Sequence, residues 1–126
     1  MRDALDGFRG EAYLSLETFK RDGTGVKTPV WFAEVEGRLV VFTDGTSYKV
    51  KRLRRNTKVR VAPCGVRGDV KGPWHEGTAE LVTDRAFEKK IYDALIAKYG
   101  WQMRLLNVVS TLGGRIGRRQ TIAVTL

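Results

Sequence analysis

The segment from Thr43 to Pro63, TDGTSYKVKRLRRNTKVRVAP, constrains this chain more than any other. It opens as the end of an apolar strand, passes through a Ser-led turn, becomes a short basic helix, and returns as an alternating strand. Between Gly45 and Gly68 stand eight Lys/Arg and no Asp or Glu: Lys49, Lys51, Arg52, Arg54, Arg55, Lys58, Arg60 and Arg67. The chain carries 23 basic and 14 acidic residues, a net of +9, and without those eight the balance is 15 to 14. The charge excess is therefore local, which implies an anionic partner held at one place rather than a generally basic surface.

The rest of the chain reads mainly as strands. Ala12 to Phe19 alternates, with Leu14 and Leu16 on one side and Tyr13, Ser15 and Glu17 on the other, as a half-buried strand does. Asp22-Gly23 signals a hairpin. Val26 to Val35 is rich in β-branched and aromatic residues and reads as one partner strand. Pro29 within it has no N–H for a ladder and marks an edge or bulge. After a tight turn at Glu36-Gly37, Arg38 to Thr43 is a third strand. Ser47 is the expected N-cap of a helix from Tyr48 to about Arg55, with Val50 and Leu53 facing the core, Lys49, Arg52 and Asn56 together on an exposed side, and Asn56 closing it. Lys58 to Cys64 and Trp74 to Val82 are the fourth and fifth strands. Gly77 suggests close approach of another group. Thr83 or Asp84 caps an amphipathic helix through about Tyr99, its stripe formed by Phe87, Ile91, Leu95 and Ile96. Gln102 to Leu112 reads as a second helix, and Arg118 to Leu126 as the last strand. Asp3 to Glu11 is a short helix or an arm.

This is a mainly β pattern: six antiparallel strands in a closed or nearly closed barrel, one basic helix, and one or two helices before the last strand. Its 126 residues suit a single domain, residues 1–126. Nothing in the sequence has the apolar length of a membrane span, and the N-terminus has no apolar core of a signal peptide. One Cys (Cys64) and one His (His75) exclude an internal disulfide framework and argue against structural zinc. The expected compartment is the cytoplasm.

The basic helix carries the strongest functional signal. Ser47 and the amides after it, with Lys49 and Lys51, suit a phosphate, and Arg52 and Arg55 suit further anionic groups. A nucleic-acid backbone is the rival anion, but only Tyr48 stands in the run as a stacking platform. In Thr28-Pro29-Val30-Trp31-Phe32, a Pro-containing edge strand leaves backbone groups free to bond a planar heterocycle, and Thr28 adds a hydroxyl. Plain core packing is the competing reading for Trp31 and Phe32. Glu34 and Glu36 are read as solvated. Cys64 is read as a small strand residue rather than a nucleophile. Gly113-Gly114 with Arg115, Arg118 and Arg119 is either a second anion contact or a solvated turn.

In order, TFKRDGTGVKTPVWF, GRLVVFTDGTSYKVKRLRRNTKVRVAPCGVRG and WHEGTAELV resemble the flavin-binding split β-barrel superfamily, and within it the pyridoxamine 5′-phosphate oxidase-like, coenzyme F-420-dependent enzymes. The resemblance runs from about Tyr13 to the C-terminus. It implies a six-stranded split barrel and a homodimer with cofactor at the subunit interface. The deazaflavin ring of F-420 would lie against Thr28, Pro29, Val30 and Trp31 and the strand ending at Thr43. Ser47, Lys49, Lys51 and Arg52 would hold its phosphate, with Arg55 near its polyglutamate tail. The chain departs from that pattern at Gly25 and Thr57, where relatives often carry Pro. The expected activity is hydride transfer from reduced F-420 to an electron-poor small molecule. The alternatives are an FMN-dependent pyridoxamine-phosphate-oxidase-like enzyme and a non-catalytic F-420 or flavin-binding protein. No residue is assigned a catalytic role.

Overall fold

The computed structural model describes residues 4–44, 48–100 and 119–126. Seven strands form one antiparallel sheet: β1 Tyr13–Phe19, β2 Gly25–Val30, β3 Ala33–Val35, β4 Arg38–Asp44, β5 Lys58–Cys64, β6 His75–Leu81 and β7 Arg119–Thr125. Helix α1 spans Tyr48–Arg55 and α2 spans Arg85–Tyr99. Of the predicted N-terminal helix, a single 3-10 turn forms at Asp6–Phe8. The predicted helix over 102–112 lies outside the described residues.

The strand order is β2-β1-β5-β6-β7-β4-β3. Its two outermost strands, β2 and β3, are consecutive in the chain and joined only by Trp31 and Phe32. The sheet must therefore curl until its ends meet, and the result is a split barrel with its seam at this joint. The sequence pattern read Val26 to Val35 as one strand. The structure divides it because the two halves bond to different neighbours, β2 to β1 and β3 to β4. Pro29 has no N–H to extend a ladder across the seam. Inside–outside alternation survives the break: Val30 and Phe32 pack inward, Trp31 and Ala33 outward.

Two apolar clusters follow from that alternation. Inside the barrel lie Leu14, Leu16, Leu39, Val41, Val59, Val61, Ile122 and Val124, closed by Phe8 and by Leu53 of α1. Outside, Ile91 and Leu95 of α2 cover Ala33, Val40 and Ala123. Each such fully buried Leu, Ile or Val contributes roughly 1.5–3 kcal/mol. Asp84 caps α2 by accepting from the Ala86 amide at 3.0 Å, and Gly100 ends the helix at φ +61°. Glu36 and Gly37, at φ +52° and +76°, form the turn between β3 and β4, the two positive values that a tight hairpin turn requires.

The outer side of β1 departs from expectation. Ser15 and Glu17 are buried rather than half-exposed. Glu17 lies across from Lys27 on β2 and Arg60 on β5, and Arg60 Nε donates to its carboxylate at 2.5 Å. The Trp74 ring rests near both cations, 5.0 Å from Lys27 Nζ and 5.4 Å from Arg60 Cζ. A paired carboxylate under an aromatic lid can be buried where a lone one cannot. Gly25 belongs to this arrangement, since a Cβ there would overlap the Glu17 carboxylate. That is a local physical reason for Gly at this position. Gly77 meets its expectation: a Cβ would stand 2.8 Å from the Thr125 carbonyl oxygen.

Candidate functional site

Helix α1 is pinned through its apolar side by Val50 and Leu53, both buried, which leaves Lys51, Arg54 and Arg55 exposed. Two arginines also tie it to the end of β1. Arg55 Nη2 donates to the Phe19 carbonyl at 2.9 Å, and Arg52 Nη1 lies 3.4 Å from Thr18 Oγ1. This holds the helix beside the β1–β2 hairpin and opens a cleft of about 750 Å³ between them. The cleft is lined by Lys20, Arg21, Tyr48, Lys51, Arg52, Arg54 and Arg55, six cations and a tyrosine with no acid among the described lining residues. Like charges this close repel one another and are relieved by a polyanion. Tyr48 is 71% exposed, with Lys51 Nζ 5.1 Å from its ring centroid, and so offers a flat surface at the mouth.

Lys51, Arg52 and Arg55 are thus brought together as the sequence suggested, joined by Lys20 and Arg21 beside the Asp22-Gly23 hairpin signal. A Lys-Arg pair at a hairpin tip was the available signal. Lys49 stands apart from the cleft lining. It is half-buried rather than on an exposed side, and burial, then the Arg52 charge, holds its pKa below the ordinary lysine value. Ser47 lies outside the described residues, as do Gly113, Gly114, Arg115 and Arg118.

The seam supplies a second, less charged surface. Among the described residues, strand β2 bonds to β1 alone and β4 beyond Val40 bonds to β7 alone, so each leaves one edge without a described ladder. Thr28 pairs with Leu16 and Thr43 shares the inward register of Leu39 and Val41, so both threonines belong to the barrel-facing rows. Among the described residues the buried Thr28 Oγ1, like that of Thr121, has no hydrogen-bond partner, a state that calls for an explanation such as a bound ligand or water. Pro29 is exposed and Val30 half-buried beside it. Thr28 is three residues along β2 from the hairpin end, about 10 Å at strand rise. Thr43 is five residues from Tyr48, at most about 18 Å of chain. The basic cleft and the seam are therefore close enough for one elongated molecule.

Trp31 is half-buried and packs outward at the joint, against the α2 side of the sheet. Its ring stacks on Tyr99 of α2 at 4.3 Å and 8°. The Tyr99 hydroxyl accepts from the Phe32 amide at 2.9 Å and lies 2.7 Å from the Ala12 carbonyl and 3.0 Å from that of Phe32. Burial raises the phenol pKa to about 12, although the Phe32 hydrogen bond pulls the other way. Tyr99 clamps the joint at which the barrel splits. Periodicity puts Tyr99 at the end of the helix, and nothing in the sequence ties it to Phe32, 67 positions away.

The remaining candidates resolve simply. Cys64 is buried and its thiol is pushed up by burial and then by Asp69, the opposite of an activated nucleophile. His75 pairs with Val61 in the ladder and packs near Phe8. Glu34 and Glu36 are ion-paired as well as exposed, to Arg9 at 2.9 Å and Lys90 at 3.0 Å. Among the described residues no group of His, Cys, Asp and Glu could hold a metal, and no helix is long and apolar enough to cross a membrane.

The family model for pyridoxamine 5′-phosphate oxidase matches residues 1–126. Comparison with curated proteins gives no match. Among solved structures, the conserved hypothetical protein Rv2991 of Mycobacterium tuberculosis superposes with a TM-score of 0.73 at 21% identity, over 98% of this chain and 79% of that one. The heme storage protein HutZ of Vibrio cholerae gives 0.71 at 11% identity, over 93% and 82%. An F-420 reductase gives 0.60 at 17% identity, over 99% and 94%. At these identities the likeness is one of fold.

Proposed function

This chain belongs to the pyridoxamine 5′-phosphate oxidase family and has its flavin-binding split-barrel fold, and on that premise we propose that it is an oxidoreductase that uses reduced coenzyme F-420. The observation that carries the reading is the cleft of six cations with no acid in its described lining. FMN presents one phosphate. F-420 presents a phosphate and several carboxylates, and so makes fuller use of such a cleft.

The chain's own residues fit that molecule. Lys51, Arg52 and Arg55, with Lys20 and Arg21 opposite, bind the anionic tail. An anion near Lys49 would offset the burial and the Arg52 charge that lower its pKa. The unpartnered Thr28 hydroxyl and the free edge of β2, from Thr28 to Val30, hydrogen-bond the planar ring and fix its orientation, with Thr43 across the seam. When bound, the reduced deazaflavin supplies the hydride for an electron-poor small molecule. The protein positions it and excludes water, which is why no acid–base dyad is needed. A homodimer, with a second subunit covering the seam, completes this proposal.

The test is a titration of the purified protein with F-420 and separately with FMN, followed by Trp quenching at two salt concentrations. F-420 is expected to bind at least about tenfold more tightly, with the difference shrinking at high salt. The Lys51→Ala and Arg52→Ala variants weaken F-420 binding. A preference for FMN moves the chemistry to the oxidase type. F-420 that binds but is not reoxidised by a broad acceptor panel makes the protein a carrier.

A further inference from the structure

We propose that the cavity beside Lys98 is a second binding site, for a flat aromatic molecule bearing a single carboxylate. The cavity, about 730 Å³, lies between the N-terminal turn, the β2–β3 joint and the end of α2. That volume is within the usual range for small-molecule sites. It shares no lining residue with the basic cleft and does not depend on which coenzyme that cleft takes.

The aromatic part of the ligand follows from the lining. Phe8, Phe32 and Leu39 are almost completely buried yet border the cavity. Phe8 and Phe32 meet edge to face, 6.1 Å between centroids, and Tyr99 stands beside them. Such surfaces favour a flat apolar body.

The charge of the ligand follows from what is already paired. Arg9 is committed to Glu34 and Asp6, and Glu11 to Lys71 at 3.3 Å. Lys98 has no salt bridge among the described residues. The residue is exposed overall, but its Nζ lies over the Phe32 ring, 3.4 Å from the centroid. Loss of water lowers its pKa to about 8, against the weaker supporting charge of Glu11. A carboxylate on the side of Nζ away from the Phe32 ring would add an ionic partner to the cation–π contact this ammonium already makes. Glu11 and Glu34 also line the cavity, and they disfavour a phosphate or any other dianion. Of the two lining cations, Arg9 is paired with Glu34, and Lys98 beside Glu11 suits a monoanion.

The probe is 2-naphthoate, titrated into the full-length protein and followed by its own fluorescence, with 2-naphthylmethanol as the neutral counterpart. Saturable naphthoate binding is expected, about tenfold or more weakened in Lys98→Met and retained in Lys98→Arg. Naphthylmethanol should not distinguish wild type from Lys98→Met. Naphthoate affinity should fall as pH rises beyond the lysine's titration, and Lys51→Ala should leave it unchanged. Three results would overturn the proposal: no saturable binding, equal affinity in Lys98→Met, or a loss in Lys51→Ala matching that in Lys98→Met. The last would mean that naphthoate reports only general attraction to the basic surface.

Discussion

At the scale of single residues, Tyr99 shows how one hydroxyl can hold a topological break together. Tyr99→Phe keeps the stack on Trp31 but leaves the Phe32 amide without its acceptor. A loss of about 1–3 kcal/mol in urea unfolding is expected. The phenol also ties stability to pH. Its folded pKa is raised to about 12, above the value near 10 for an unfolded tyrosine. Between those two values the unfolded chain has released the proton and the folded chain has not, so stability falls as pH climbs through this window. The wild-type decline above about pH 10 should be shallower in Tyr99→Phe. Gly25 and Glu17 form another coupled pair. Gly25→Ala should cost about 1–3 kcal/mol by pushing the Glu17 carboxylate off Arg60, and less when Glu17 is already Ala. Additive losses in that double-mutant cycle would refute the coupling.

At the scale of elements, β6 and β7 depend on a close approach that only glycine allows. Gly77→Ala would place its Cβ 2.8 Å from the Thr125 carbonyl oxygen and 3.1 Å from Val124 Cγ1. Backbone cannot yield as a flexible side chain can. The expected result is a fall of about 1–3 kcal/mol, with faster hydrogen exchange at the β6–β7 ladder in particular. Helix α1 illustrates the opposite balance. It is eight residues long, too short to be stable alone, and rich in mutually repelling cations. Its stability comes from burial of Val50 and Leu53 and from the Arg55 bond to Phe19. Anion binding and helix stability should therefore rise together.

At the scale of the whole molecule, the split leaves β2 and the end of β4 with open edges on a curled sheet. Open edges are usually covered. In the proposed homodimer the second subunit covers them, so sedimentation should give twice the 14.2 kDa chain mass. A monomer at all concentrations would remove the subunit-interface site and leave the basic cleft as the sole coenzyme contact.

Most of the strands, both described helices and the concentration of charge were legible in the sequence, because alternation, helical periodicity and charge are local properties. The resemblance of its motifs identified the split barrel. The tertiary structure alone decided where the second strand breaks, because that depends on which neighbour each half bonds to. It alone brought Lys20 and Arg21 opposite α1, buried Glu17 through partners on β2 and β5, and set Tyr99 against Phe32. Each of these joins residues far apart in the chain, and no local pattern records which distant side chain will arrive.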